Sequence, residues 1–242
     1  MRFLTLTSRN MKEIYRDPVS ITLGVAMPAI LLVLFVSIGK NAPVEVFTPN
    51  SLTPAVAVFS FGFLTLFSSM LLAKDRESAF LSRLLTAPLK PTDFILSYTL
   101  PFLPIALLQI AVCFTVGIIY GVTLNLSILL ALFILFIISI ACIGIGMIIG
   151  SLFSEKQAPG LASGVIIIIS LFGGVWMNLK MVGGVFAAIG YALPFAYAID
   201  TTRAVLNGYG LSSIAITLYL VIGYTLLFFI LGVLCFRWRT KR

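Results

Sequence analysis

The chain has no histidine, only eight acidic residues, and no loop of the kind that cradles a nucleotide phosphate. Without histidine it lacks the commonest metal ligand and general base. Its three cysteines (Cys113, Cys142 and Cys235) lie in apolar runs, with neither zinc spacing nor a disulfide framework, and read as small core residues. Gly39-Lys40 is followed by Asn41, and no glycine stands where a phosphate loop needs one. Charged residues make up 10% of the chain, against about 25% in an ordinary soluble domain. So few charges cannot coat a water-facing surface. These absences argue against a soluble domain, a metal centre, histidine-based catalysis and nucleotide hydrolysis by this chain. No catalytic residue and no metal ligand is expected.

What is present is apolar length. Of 242 residues, 60% are hydrophobic, and the mean hydropathy is +1.15. The expected fold is an all-α polytopic membrane protein forming one transmembrane domain over 1–242. Residues 1–17 carry Arg2, Arg9 and Arg16 at seven-residue intervals with Lys12 alongside, while Leu4, Met11 and Ile14 or Tyr15 fall on another face. This predicts a helix lying in the inner headgroup layer. Spans are predicted at 18–39, 52–73, 94–119, 127–152, 158–177 and 214–236. The uncharged stretch 94–154 has 61 residues. As one helix it would reach ~90 Å, so it must turn back, and Tyr120-Gly121 with Asn125 marks the turn. Pro28 predicts a kink in the first span, and Pro101 and Pro104 a bend near the start of the third.

Residues 178–213 are harder to read, because 182–199 is apolar but broken by Gly183, Gly184, Gly190 and Pro194. Charge decides the reading. With six spans, one side collects 13 Lys and Arg and the other holds Lys40, Lys180 and Arg203. The richer side is cytoplasmic, with both termini on it. A seventh span would carry the four basic residues of the tail outside, so 178–213 is read as an outer re-entrant region. The net charge of +8 belongs to this orientation and to lipid headgroups, not to nucleic acid.

Two features single out possible function. The first is the polar island 74–93, the longest between spans, with Phe80, Leu81, Leu84 and Leu85 at helical spacing before Pro88 and Pro91 stop the helix. The second is a stripe of Phe59, Phe63 and Phe67, continued by Met70, in the second span. The stripe reads either as the wall of a substrate path or as packed, lipid-facing surface. Gln109 reads either as a cargo contact or as an interhelical hydrogen bond. Gly146-x-x-x-Gly150 suits close helix approach. No charge falls mid-span, which speaks against an ion-coupled secondary transporter. A non-transporting membrane scaffold is the other alternative.

Three stretches resemble the membrane subunit of ABC type-2 exporters, the resemblance extending over essentially the whole chain. Arg16-Asp17-Pro18, leading into a helix with Pro28, is similar to that family's entry from surface helix to first span. Residues 76–88, Arg-Glu-Ser-Ala-Phe-Leu-Ser-Arg-Leu-Leu-Thr-Ala-Pro, resemble its cytoplasmic pattern R-E-x-G-T-L-E-R-L-L-x-x-P. Gly174-Val175-Trp176, then Pro194, Tyr197, Asp200 and Arg203, resemble its outer re-entrant element. Ala79-Phe80 stands for the usual Gly-Thr, Ser82 for the usual Glu, and Asn178 for a common Pro.

The resemblance implies a permease without an active site, paired with a second copy or a related permease. A separate ATP-binding-cassette subunit would carry ATP and Mg. A coupling helix would dock on it through Arg76, Glu77, Phe80, Leu81, Arg83, Leu84 and Leu85. Export of an amphipathic or hydrophobic cargo is implied, among drugs, peptides, lipids, glycolipids and sodium. The expected location is a prokaryotic plasma membrane, in contact with its lipids.

Overall fold

The computed structural model describes residues 2–41, 45–78, 91–123 and 125–240, and its described residues are helical with no strand. A surface helix α1 (Arg2–Tyr15) leads into α2 (Pro18–Asn41) and then α3 (Pro49–Glu77). Next come α4 (Pro91–Thr99), a 3-10 turn at Leu100–Phe102, α5 (Leu103–Ile119) and α6 (Ser127–Leu152). The shorter α7 (Ala158–Phe172) is followed by α8 (Leu179–Val182), α9 (Gly184–Tyr191), α10 (Pro194–Leu206) and the long α11 (Leu211–Thr240).

Among the described residues, five segments are long and apolar enough to cross a membrane: α2, α3, Phe94–Ile119, α6 and Leu211–Trp238. The helix α7 has 15 residues, about 22 Å, short of a full hydrocarbon core. It stops at Phe172 rather than near 177 because Gly173 and Gly174 follow, the latter at φ +77°. The helices α9 and α10 meet at 90° and pass the length test only as one bent unit. Leu193 is extended before Pro194, as a residue ahead of proline prefers, and Tyr224 on α11 donates to the Ala192 carbonyl at the corner.

Helix α3 sits at the centre: 78% of its apolar window is buried, against 22% for α2 and 17% for α11. It packs on α6 through small residues. A methyl group added at Gly146 would lie 2.6 Å from the Thr65 carbonyl oxygen, and one at Gly150 2.6 Å from that of Ser69. Thr65 donates across this seam to the Cys142 carbonyl at 2.8 Å. On its other side α6 meets α11, where Gly144 lies against the Phe228 backbone.

Two prolines inside the spans are answered from elsewhere in the chain. Pro28 has no N–H, so the Gly24 carbonyl loses its helical partner; the buried Gln109 amide donates to it at 2.8 Å and to the Ser60 carbonyl at 3.0 Å. Pro101 likewise frees the Ser97 carbonyl, and the buried Asn10 amide donates to it at 3.0 Å. Gln109 thus ties α2, α3 and α5 together. Gln109→Leu is expected to cost about 1–2 kcal/mol. Adding Pro28→Ala, which restores an N–H for Gly24, is expected to recover part of the loss, read as the thermal midpoint in detergent. Strict additivity of the two changes would refute the pairing.

Candidate functional site

The end of the bundle where α3 and α6 terminate carries a connected set of polar side chains. In the last turns of α3, Ser68, Leu71, Leu72 and Asp75 fall on the buried face at helical spacing. The phase that buries the leucines therefore buries Asp75 also, to 2% exposure. A buried carboxylate must be satisfied by donors. Both Arg9 guanidinium nitrogens bond it, Nη2 to Oδ1 at 2.9 Å and Nη1 to Oδ2, and the Tyr98 hydroxyl donates to Oδ2 at 2.7 Å. Arg9 lies on α1 and Tyr98 on α4, so one carboxylate joins three helices. The bidentate fork fixes geometry as well as charge.

Two further ties flank it. Lys74 donates to Glu13 on α1 at 2.7 Å, and this hydrogen bond holds the Glu13 carboxyl below its ordinary range. The pair is therefore complete at neutral pH and is lost only as acid titrates Glu13. Arg76 reaches the end of α6, donating to the Ser151 carbonyl and, at 2.5 Å, to that of Phe153. A cation placed on the last carbonyls of a helix also suits its dipole. On the far side of the loop, Phe94 packs on Phe236 of α11, centroids 5.3 Å apart.

Of the expected coupling residues, Arg76 and the exposed Glu77 end α3; Phe80, Leu81, Arg83, Leu84 and Leu85 lie outside the described residues. Arg9, Asn10, Asp75 and Tyr98 were not singled out by the sequence reading. The available signal was the helical phase 68, 71, 72, 75, which carries the apolar face of α3 into the polar island. On α1 the inward residues are Leu6 and Asn10, whereas Leu4 faces out.

The phenylalanine stripe belongs to a longer aromatic ladder. Ring centroids are separated by 6.3 Å from Phe67 to Phe63, 6.2 Å to Phe59, 5.8 Å to Trp176, 4.7 Å to Phe35 and 5.4 Å to Phe47. All are within the range of favourable ring contact. Phe59 is buried and the other rungs are half-buried. Met70 is exposed, and Gln109 sits behind the ladder among helix backbones. At one end of the ladder Phe67 and Met70 floor a cleft of about 380 Å³; at the other end Phe47 enters a second of about 380 Å³, beside Lys40 and Tyr120.

The residues of the expected re-entrant region meet at the opposite end of the bundle, where α10 meets the head of α3. Pro194 starts α10, and the Tyr197 ring lies 5.4 Å from that of Tyr191. Asp200 accepts from the Tyr191 hydroxyl at 2.6 Å and lies 3.8 Å from Arg203. Arg203 in turn donates to the Ser51 carbonyl at 2.9 Å, tying the bend to the head of α3. An open polar cleft of about 840 Å³ lies beside them. No group of potential metal ligands occurs among the described residues.

The family model described as ABC-2 type transporter matches residues 1–207. The chain belongs to the ABC-2 type transporter family. Its long apolar helices fit a polytopic membrane protein of that family. Among curated proteins, this ABC-2 permease is similar to ycf38 of Pyropia yezoensis, named as a transport permease, with 34% identity over 122 residues, 48% of this chain and 42% of the relative. The ycf38 protein of Porphyra purpurea is 39% identical over 89 residues, 35% of this chain and 31% of the relative. That of Cyanophora paradoxa is 29% identical over 143 residues, 56% and 49% of the two chains. The ABC-2 permease thus covers less than half the length of these relatives. They are algal, so the prokaryotic source expected from the sequence finds no support in them.

Proposed function

We propose that this permease is the membrane half of an ATP-driven exporter for an amphipathic or hydrophobic cargo. ATP and Mg act on a separate ATP-binding-cassette subunit, and the permease pairs with a second copy or a related chain. In this reading α7 is a short fifth span, the α9–α10 bend is an outer re-entrant hairpin, and both termini are cytoplasmic.

The observation that carries the reading is the bracing of the two helix ends that flank residues 79–90. The end of α3 is tied to α1 through Asp75–Arg9 and Lys74–Glu13 and to α6 through Arg76. In α4, Tyr98 shares the Asp75 carboxylate. A displacement of these ends is passed to the helices tied to them. Nucleotide on the partner can shift the helices only through contacts that differ between two states, and braced ends are suited to transmit that difference. The ladder supplies a partly open aromatic wall between inner and outer clefts for the cargo.

The test is co-purification. Leu84→Asp in the coupling segment is expected to abolish recovery of the ATPase subunit while leaving the permease in the membrane, with ATP-dependent flux falling at least tenfold. Undiminished transport by that variant would sink docking at this segment. Flux that survives ATP depletion and collapses with an ion gradient would replace the reading with a secondary transporter.

A further inference from the structure

We propose that the inner cleft at the foot of the aromatic ladder is a binding site for amphiphilic organic cations, a substrate class that rests on the export reading above. The cytoplasmic side of this chain is strongly basic, with 13 Lys and Arg against six carboxylates: Glu13, Asp17, Asp75, Glu77, Asp93 and Glu155. The cleft inverts that balance. Three of the six carboxylates, Glu13, Asp17 and Glu155, line it, with two of the thirteen cations, Arg16 and Lys74. Lys74 is spent on Glu13. Asp17 accepts from the Ser20 hydroxyl and amide, which favours its ionised form. The rim therefore carries a net negative charge on a side of the chain whose overall balance is positive.

The floor supplies the other half of the recognition. Ile21, Phe67, Met70 and Leu71 are apolar, and Phe67 presents its ring as the first rung of the ladder. An aromatic face attracts an organic cation, and the rungs above continue the aromatic wall at about 6 Å intervals with their rings crossing edge to face. A volume of about 380 Å³ fits a small amphiphile with its charge at the rim. At the outer end the last rung, Phe47, shares its cleft with Lys40 and Glu45, whose charges cancel. A cation is thus held more strongly where it enters than where it leaves the wall, and an anion is disfavoured at entry.

The probe is a matched pair of ions, tetraphenylphosphonium and tetraphenylborate, bound at equilibrium to the permease in nanodiscs, with empty nanodiscs subtracted. Saturable binding of the cation is expected. Glu155 is exposed, so its replacement does not threaten the fold. Glu155→Lys is expected to weaken cation binding about tenfold and to tighten the anion, as reversing one charge at close range in a half-wet site requires. Arg16→Glu is expected to act in the opposite direction, and Phe67→Ala to weaken the cation several-fold. Absence of saturable cation binding, or charge reversals that move neither ion, would overturn the proposal. None of these measurements needs the ATPase. A negative result therefore leaves ATP-driven export standing, and failure of ATP-dependent flux leaves the cleft standing.

Discussion

Asp75→Ala is expected to destabilise the permease by about 2–3 kcal/mol and to free α1 from the inner surface. The carboxylate side chain is 3% exposed and is shared by Arg9 and Tyr98. Removing one member of a buried ion pair typically costs about 3–5 kcal/mol, because the partner keeps its desolvation penalty. Arg9 is 34% exposed, so water relieves part of that penalty, which places the expectation below the full range. The fully buried Tyr98 hydroxyl has no such relief. Cys113 and Cys142 offer a direct readout, since both are buried and react with a thiol dye only on unfolding. Trypsin supplies a second, because a helix α1 released from its tie can unwind and admit the protease at Arg9, Lys12 and Arg16. The double variant Arg9→Ala/Asp75→Ala is expected to be less unstable than the sum of the single changes. Additive losses would mean that the pair contributes no coupling of its own.

Gly146→Leu is expected to be at least as damaging, by a different route. A side chain at this position projects into the α3 backbone near Thr65 and into Ser68. Backbone cannot rotate out of the way as a side-chain tip can, so the two central helices must separate. Overpacking of this kind costs about 1–3 kcal/mol where the core can adjust, and more where two backbones touch. The separation also stretches the Thr65–Cys142 hydrogen bond. The expected outcome is loss of monodisperse protein on gel filtration and early dye reaction at Cys142. Gly160→Ala on α7 is the control: nothing lies within 4 Å of its added methyl, and it is expected to be neutral or slightly stabilising. Equal damage by both changes would show that crowding at the α3–α6 seam is not the cause.

Much of the scaffold was legible because it depends on local pattern. Apolar run length located the long helices, whereas Pro91 and Pro194, read as helix breaks, stand at the starts of α4 and α10. Gly146 and Gly150 lie at a close approach, as their spacing suggested. What the chain did not disclose is the direction of particular side chains. Lys74, Asp75, Arg76 and Glu77 read alike as a polar run, yet helical phase turns Asp75 inward and leaves Glu77 exposed. Asn10 is unremarkable in sequence, and Gln109 stands out only as a polar residue in an apolar run, with no partner named. Their role appears only when a proline on another element leaves a carbonyl within reach, a relation spanning 87 residues in one case and 85 in the other. Trp176 joins the phenylalanine ladder through a loop, outside any helical period.

The contact between Arg76 and the end of α6 also bears on how the permease is made. Arg76 is synthesised 75 residues before Ser151. The side chain that closes the last turn of α6 is therefore presented by a helix made earlier in the chain. Neither helix is finished alone. A chain divided in the turn after α5 would yield two pieces, one holding the arginine and the other the open carbonyls. Joining them again depends on the Gly146–Thr65 seam bringing the two ends into register.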